Sequence, residues 1–261
     1  MDLQLVDTHA HLNDPAFAGR LEAVVERARQ AGVTACVVPS YDPESFSRTR
    51  ALAEAFPAVV LPAFGIHPWW AHRFHEAPDL AETLRAVPAS VAVGEIGLDF
   101  YPDCPPPGAQ LACFRRQLAV AAEFGLPALV HCRKAFDALY ETLRTLRGTP
   151  PVVLHSFGGG PEWMARFLDL GVSIAFSGSV TRATARKYHR CAERVPADRL
   201  LLETDAPSIA TETTVASDVE PAHTAEVAAA VARLRGVAVE DVARHATTNA
   251  LRLFPAKNLL V

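Results

Sequence analysis

The chain has few lysines, no paired cysteine motif and no long apolar run, and each shortage argues against a class of protein. Its five cysteines, Cys36, Cys104, Cys113, Cys132 and Cys191, are odd in number and never spaced C-x-x-C. That pattern indicates neither a disulfide framework nor a zinc knuckle, and it fits a reducing cytoplasm. No stretch approaches the eighteen apolar residues of a membrane helix, and the opening residues lack the basic and apolar regions of an export signal. Positive charge is nearly all arginine, with lysine only at Lys134, Lys187 and Lys257. With 25 basic against 29 acidic side chains the formal charge is −4, too acidic for broad electrostatic attachment to nucleic acid or a membrane. A local basic patch is still compatible with it. No linker or low-complexity segment divides the chain, so residues 1–261 are expected to form one domain.

What the chain does have is a rhythm of short apolar runs and amphipathic stretches. The pattern predicts strands over Leu3–His11, Thr34–Ser40, Val59–Ile66, Ala89–Val93, Pro127–His131, Val152–His155, Val172–Phe176 and Leu200–Thr204. Between them, helical spacing predicts helices over Arg20–Gly32, Pro43–Phe56, Leu80–Val87, Ala109–Gly125, Phe136–Leu146, Pro161–Gly171 and Ala183–Val195. Two more follow, Pro221–Arg235 and Val239–Phe254. Eight strand–helix units predict an α/β fold, a (β/α)8 TIM barrel with extra C-terminal helices; an open doubly wound sheet is the alternative.

Polar residues gather where the strands are expected to end. His9 and His11 follow the first, His67 the third, Glu95 the fourth, His131 the fifth, His155 the sixth and Asp205 the eighth. In a barrel these ends meet at one mouth, the face that carries chemistry in this architecture. His9 and His11 are two apart, so on a strand both imidazoles share a face. Mixed imidazole and carboxylate donors suit zinc, manganese or similar divalent ions. Six ligands are too many for one catalytic ion, which leads to two divalent ions (Zn, Mn or Mg). His9, His11 and Asp205 are expected on one, His131 and His155 on the other, and Glu95 bridging both. Such a pair activates a water, with Asp205 as general base and Glu95 as the bridging catalytic carboxylate.

His67 is not needed as a ligand and reads equally as a hydrogen-bond donor to phosphate or leaving group and as a plain structural residue, and Arg133 and Lys134 read as positive charge for substrate. Asp99 is expected to orient a ligand or an arginine. Glu203 reads equally as a ligand's partner or a paired barrel residue. Trp69 and Trp70 read as stacking or rim-packing residues, the glycines at 158–160 as a turn into the next helix, and Cys132 as packing. His72, His75, His189 and His245 are expected at the surface.

The motifs Asp7-Thr-His9-Ala-His11-Leu12, Gly65-Ile-His67-Pro68, Gly94-Glu95-Ile-Gly97-Leu98-Asp99, His131-Cys-Arg133, His155-Ser-Phe157-Gly-Gly, Glu203-Thr-Asp205-Ala-Pro207 and Asn249-Ala-Leu-Arg252-Leu-Phe254 stand in this order. Together they resemble the signature of TatD-type metal-dependent hydrolases of the amidohydrolase superfamily, from residue 6 to residue 254. The resemblance implies a barrel with two divalent ions and hydrolysis of DNA phosphodiester bonds. Two departures stand out. Ser156-Phe157-Gly158 replaces the family's Cys-Phe-Ser beside His155. From Leu200 to Ala232 there is no arginine or lysine, but there are Glu203, Asp205, Glu212, Asp218, Glu220 and Glu226. A polyanion must find positive charge, so the expected substrates are short or single-stranded DNA ends held at one phosphate, with a small ester, amide or phosphoester as the alternative.

Overall fold

Strands this apolar have no water-facing side, so they must be covered on both faces, and parallel strands linked by helices achieve that. The computed structural model describes residues 3–255; Lys257 lies outside them. The described residues hold eight parallel strands: β1 (Leu5–Asp7), β2 (Val33–Pro39), β3 (Val60–Phe64), β4 (Ala92–Asp99), β5 (Ala128–Arg133), β6 (Val152–Leu154), β7 (Ser173–Phe176) and β8 (Leu200–Leu202). Helices α1 (Leu21–Gln30), α2 (Ser45–Ala55), α3 (Leu80–Ala86), α4 (Pro107–Phe124), α5 (Phe136–Thr145), α6 (Pro161–Asp169) and α7 (Arg186–Arg194) connect them. Two further helices, α8 (Thr224–Arg235) and α9 (Val239–Leu253), follow β8.

Strand order follows chain order, which overturns the open doubly wound alternative. The seam closes at the mouth, just beyond the strands. Thr8 N–H donates to the Leu202 carbonyl at 3.0 Å, Asp205 N–H to His9 at 2.8 Å and His11 N–H to Ala206 at 2.8 Å. Buried Asp7 ties the same seam, accepting Thr204 Oγ1 at 2.6 Å, Thr204 N–H at 3.0 Å and His9 N–H at 3.1 Å. The residues that zip the first strand to the last are thus neighbours of the candidate ligands.

Two apolar layers result. Alternate strand residues such as Val6, Val37, Leu61, Leu129, Val153 and Leu201 fill the interior, joined by Ala250 and Phe254 from the end of the chain. The opposite strand faces pack on helices through stripes spaced three or four apart, as with Met164 and Phe167 of α6 beside exposed Glu162 and Arg166. The C-terminal motif anchors the barrel: buried Asn249 donates to the carbonyls of Ala197 at 2.7 Å and Leu200 at 2.9 Å, ahead of β8 and within it.

Several boundaries differ from expectation. The first strand is only Leu5–Asp7, because the chain turns after it to bring His9 and His11 inward. The fourth runs through Glu95 to Asp99, all eight residues buried, so Glu95 lies inside the strand and not at its end. Its two glycines permit this. A Cβ at Gly94 would meet Leu129 Cβ at 2.6 Å, and one at Gly97, where φ is 138°, would meet the His131 carbonyl at 2.1 Å. The register of β4 against β5 shifts between Val93 and Ile96, so the strand absorbs an irregularity at Glu95 and resumes. Pro68–Glu76, between the third strand and α3, is a 3-10 helix with Pro68 at its start. Among the described residues no helix is long and apolar enough to cross a membrane.

Candidate metal centre

Glu95 lies at the centre of the mouth, and its two oxygens face different partners. Oε2 is 3.3 Å from His9 Nε2 and 3.3 Å from His11 Nε2. Oε1 is 2.9 Å from His155 Nε2, 3.2 Å from His131 Nδ1 and 3.4 Å from His67 Nε2. Asp205 joins the first group, with Oδ1 at 3.5 Å from His11 Nε2 and 3.8 Å from His9 Nε2. All six sequence-expected ligands are therefore brought together.

Whether the donors fit metal can be tested on their own contacts. His9 Nε2 lies 3.2 Å from His11 Nε2, and His131 Nδ1 lies 3.2 Å from His155 Nε2. Ring nitrogens aimed at each other in a buried pocket need a proton between them or a shared cation. Four donors about 2.0–2.1 Å from one tetrahedral ion stand about 3.3–3.4 Å apart. His9, His11, Glu95 and Asp205 approach that spacing, and the donor set fits a divalent cation. His9, His11 and Asp205 form one of three metal-competent groups among the described residues; the others are His67 with Glu95 and His131, and His9 with His155 and Glu203.

Neighbours fix which ring nitrogen faces the centre. Asp99, fully buried, takes His131 Nε2 at 3.2 Å, leaving Nδ1 to face Glu95. Glu203 stands 3.4 Å from His155 Nδ1, longer than a good hydrogen bond, and accepts Ser156 N–H at 2.6 Å. Both carboxylates thus act behind a candidate ligand. His67 is different. Its Nδ1 accepts the Trp69 N–H at 3.2 Å and caps the 3-10 helix, so the ring hydrogen sits on Nε2, 3.4 Å from Glu95 on the cavity side. A protonated nitrogen donates, so this geometry suits a hydrogen-bond donor and argues against His67 as a ligand.

The electrostatics follow from burial. Desolvation pushes the His9 pKa well below the ordinary imidazole value, takes His67 down to about 4 and raises Asp205 to about 6. Burial favours the neutral form of Glu95 as well, but the imidazoles around it, His67, His155 and His9 among them, hold the carboxyl well below its usual range. Burial also opposes charge on His155, yet Glu95 and Glu203 keep its pKa well above the ordinary value. His131 and His11 are raised against burial, the first by Asp99 and Glu95, the second by Glu95 and Asp205.

Backbone strain concentrates here. Asp205 and Ser156 adopt left-handed conformations, φ 55° and 42°, Asp205 three residues beyond β8 and Ser156 beside His155. Ser208 N–H bonds the Asp205 carbonyl at 2.7 Å and helps hold the turn.

The surrounding cavity measures about 170 Å³ and is lined by His11, Tyr41, His67, Trp69, Glu95, His131, His155 and Asp205, with Asp14, Trp70 and Ser208. Arg133 and Lys134 do not line it. Arg133 Nε instead bonds Asp99 at 3.0 Å, and Lys134, exposed with φ 58°, directly follows β5. Tyr41 is a lining residue that sequence reading missed; its ring meets His11 edge-on at 5.3 Å and nothing in its local sequence marks it. Trp70 is half-buried and packs on the core, whereas Trp69 is exposed. His72 and His75 are exposed; His189 and His245 are half-buried, His189 meeting the Val180 carbonyl at 3.1 Å. Cys132 packs against the core and Gly160 precedes α6, both as expected.

The acidic residues after β8 are structurally engaged. Arg27 makes a paired bond to Glu220 at 2.6 and 2.7 Å, Glu212 accepts the Ala183 N–H at 3.0 Å, and Glu226 accepts Thr213 Oγ1 at 3.1 Å.

Residues 6–255 match the family described as TatD related DNase. A metal-dependent hydrolase of Escherichia coli K12, YjjV, is 34% identical over 97% of this chain and 99% of its own. The crystal structure of that TatD homologue superposes with a TM-score of 0.88 over 98% of this chain and 99% of the other. A 3'-5' ssDNA/RNA exonuclease TatD of Edwardsiella piscicida is 38% identical, covering 78% and 79% of the two chains. The human deoxyribonuclease TATDN3 is 31% identical over 96% and 94%. The barrel, the order of its motifs and these matches along nearly its whole length agree, and the chain belongs to the TatD-related DNase family.

Proposed function

We propose that this chain is a divalent-metal-dependent hydrolase that cleaves phosphodiester bonds of DNA, favouring short or single-stranded ends. One observation carries the reading: the two oxygens of Glu95 divide four imidazoles into two pairs, His9 with His11 and His131 with His155, and Asp205 joins the first pair. His9, His11 and Asp205 would hold one ion, His131 and His155 the other, with Glu95 common to both. Such ions supply Lewis acidity toward phosphoryl oxygens and an activated water. Asp205, beside His9 and His11 in the first group, takes up the proton of the attacking water. His67, neutral with its hydrogen on Nε2, donates to a phosphate or leaving-group oxygen. The five cysteines, all unpaired, support the cytoplasmic setting we assign.

A second reading keeps the ions and changes the substrate to a small ester, amide or phosphoester. The small cavity favours it, as does the lack of arginine or lysine in the lining. One experiment separates the two. The protein is stripped with chelator, reloaded with magnesium, manganese or zinc, and assayed on a labelled single-stranded oligonucleotide and on a generic phosphodiester. Wild type is expected to cleave the oligonucleotide at least about a thousandfold faster than Glu95→Ala, the loss expected when a two-metal clamp fails. Equal rates end the nuclease reading. Cleavage of the simple ester alone selects the second one. Two ions bound undiminished by Glu95→Ala would remove the bridging role.

A further inference from the structure

Among the described residues, few large apolar side chains are exposed, and two of them stand together. Trp69 is 48% exposed and Tyr101 46% exposed. Trp69 follows β3 and lines the cavity; Tyr101 follows β4 by two residues. Between them in contact lies Arg133, at the end of β5, with its guanidinium 4.2 Å from the Tyr101 ring centre and 5.9 Å from that of Trp69. Leaving two rings in water forgoes the stabilisation that burying them would bring.

These three groups are also held rigidly, and by one anchor. Asp99 accepts Trp69 Nε1 at 2.7 Å, Arg133 Nε at 3.0 Å and the Tyr101 backbone N–H at 3.1 Å, besides facing His131 Nε2 at 3.2 Å. The carboxylate that orients a candidate ligand therefore fixes the indole, the guanidinium and the turn that presents the phenol ring. Surfaces prepared in this way lose little conformational freedom when a planar ligand docks. The cavity itself, about 170 Å³, is smaller than the 300–1,000 Å³ or so of pockets that enclose a whole small molecule. Any base attached to a phosphate bound there must lie outside, and Trp69, which lines the cavity and is half-exposed, offers it an aromatic ring.

We infer that Trp69, Arg133 and Tyr101 form a stacking platform for unpaired nucleobases next to the phosphate site. The proposal rests on the nuclease reading and deepens it, because it names the substrate class as a strand end whose bases are free to stack. A duplex keeps its base faces inside and offers the platform nothing. Arg133 then serves as a planar stacking cation held off the cavity, which explains why it bonds Asp99 and does not line the pocket.

The test is binding, read by indole fluorescence, of a phosphorothioate tetranucleotide that resists cleavage, compared with an abasic oligomer of equal length. Wild type is expected to show saturable quenching by the base-bearing oligomer and to bind the abasic one about tenfold more weakly, the scale of a lost base stack. Tyr101→Ala should shrink that preference about fivefold or more and Tyr101→Phe should retain it. Trp69→Phe should abolish most of the quenching while keeping the preference, since the ring remains. Equal affinity for base-bearing and abasic oligomers, or a preference unchanged in Tyr101→Ala, overturns the platform. Base-dependent binding without cleavage of an ordinary oligonucleotide would instead sink the nuclease reading and leave the platform standing. Cleavage without base preference would do the reverse.

Discussion

Asp205 differs from the other carboxylates of the centre in its backbone, which is left-handed at φ 55°, a conformation that Asp and Asn tolerate better than most residues. Asp205→Asn therefore preserves the turn while removing the proton acceptor. The expected outcome is a kcat lower by about 10²–10⁴ with at least one ion retained, checked by steady-state kinetics beside metal analysis. An unchanged kcat would dismiss Asp205 as the base. At this scale much was legible in the sequence: each of the six expected ligands follows or interrupts an apolar run, so strand counting alone gathers them. What was not legible depends on neighbours distant in the chain. The hydrogen of His67 is set by a Trp69 N–H in a 3-10 turn, and the facing nitrogen of His131 by Asp99 across two strands. Tyr41 follows β2 within a polar loop, and only the fold reveals that its ring reaches His11.

Elements were legible in kind more than in extent. Alternation of apolar runs and helical stripes identifies strands and helices, but their ends are decided by partners. The fourth strand outruns its apolar stretch because Gly94 and Gly97 let the backbone pass Leu129 and His131, so a polar glutamate sits inside a fully buried strand. The last helix is the reverse case, since its alanine-rich pattern hides a specific joint. Asn249 of α9 satisfies two carbonyls, at Ala197 and within β8 at Leu200. Asn249→Ala leaves both without that donor, next to the strand that delivers Asp205. A loss of about 1–3 kcal/mol is expected, measured as a lower midpoint of urea unfolding with an unchanged slope. A midpoint equal to that of wild type would show that water replaces the amide at no cost.

For the whole molecule, the fold class and the common mouth follow from eight repeated units, whereas the closure does not. The seam relies on Asp7, Thr204 and the paired backbones of residues 8–11 and 202–206, segments no periodicity marks. Charge distribution also needed the structure: the acidic residues after β8 read as a barrier to polyanions, yet Glu220, Glu212 and Glu226 are each bonded within the protein. Because the candidate ligands come from β4, β5 and the segments following β1, β6 and β8, ions bound there would tie most of the barrel's circumference together. A ligand that binds only the folded state at 100 times its Kd stabilises by about 2.7 kcal/mol, and for a chain of this size about 1 kcal/mol moves Tm by roughly 2–4 °C. Removing the metal with chelator is therefore expected to lower Tm by about 5–10 °C at pH 8.

The size of that drop should depend on pH in a definite direction. In the metal-free protein His155, His131 and His11 hold protons more strongly than ordinary imidazoles, and Asp205 is raised to about 6. Every one of these groups must lose its proton to become a donor, so metal uptake releases protons and lower pH opposes it. Raised pKa values mean that the competition begins above the ordinary imidazole range and is strongest below about pH 6, where Asp205 is also protonated. The difference in Tm between the metal-loaded and chelated protein is thus expected to be largest near pH 8 and to shrink steadily toward pH 5.5 at fixed metal concentration. Differential scanning fluorimetry across that range measures it directly, with proton release on metal addition followed in weakly buffered solution. A Tm difference that stays constant from pH 8 to pH 5.5, or that grows on acidification, would mean that the stabilising ions bind somewhere other than among these imidazoles.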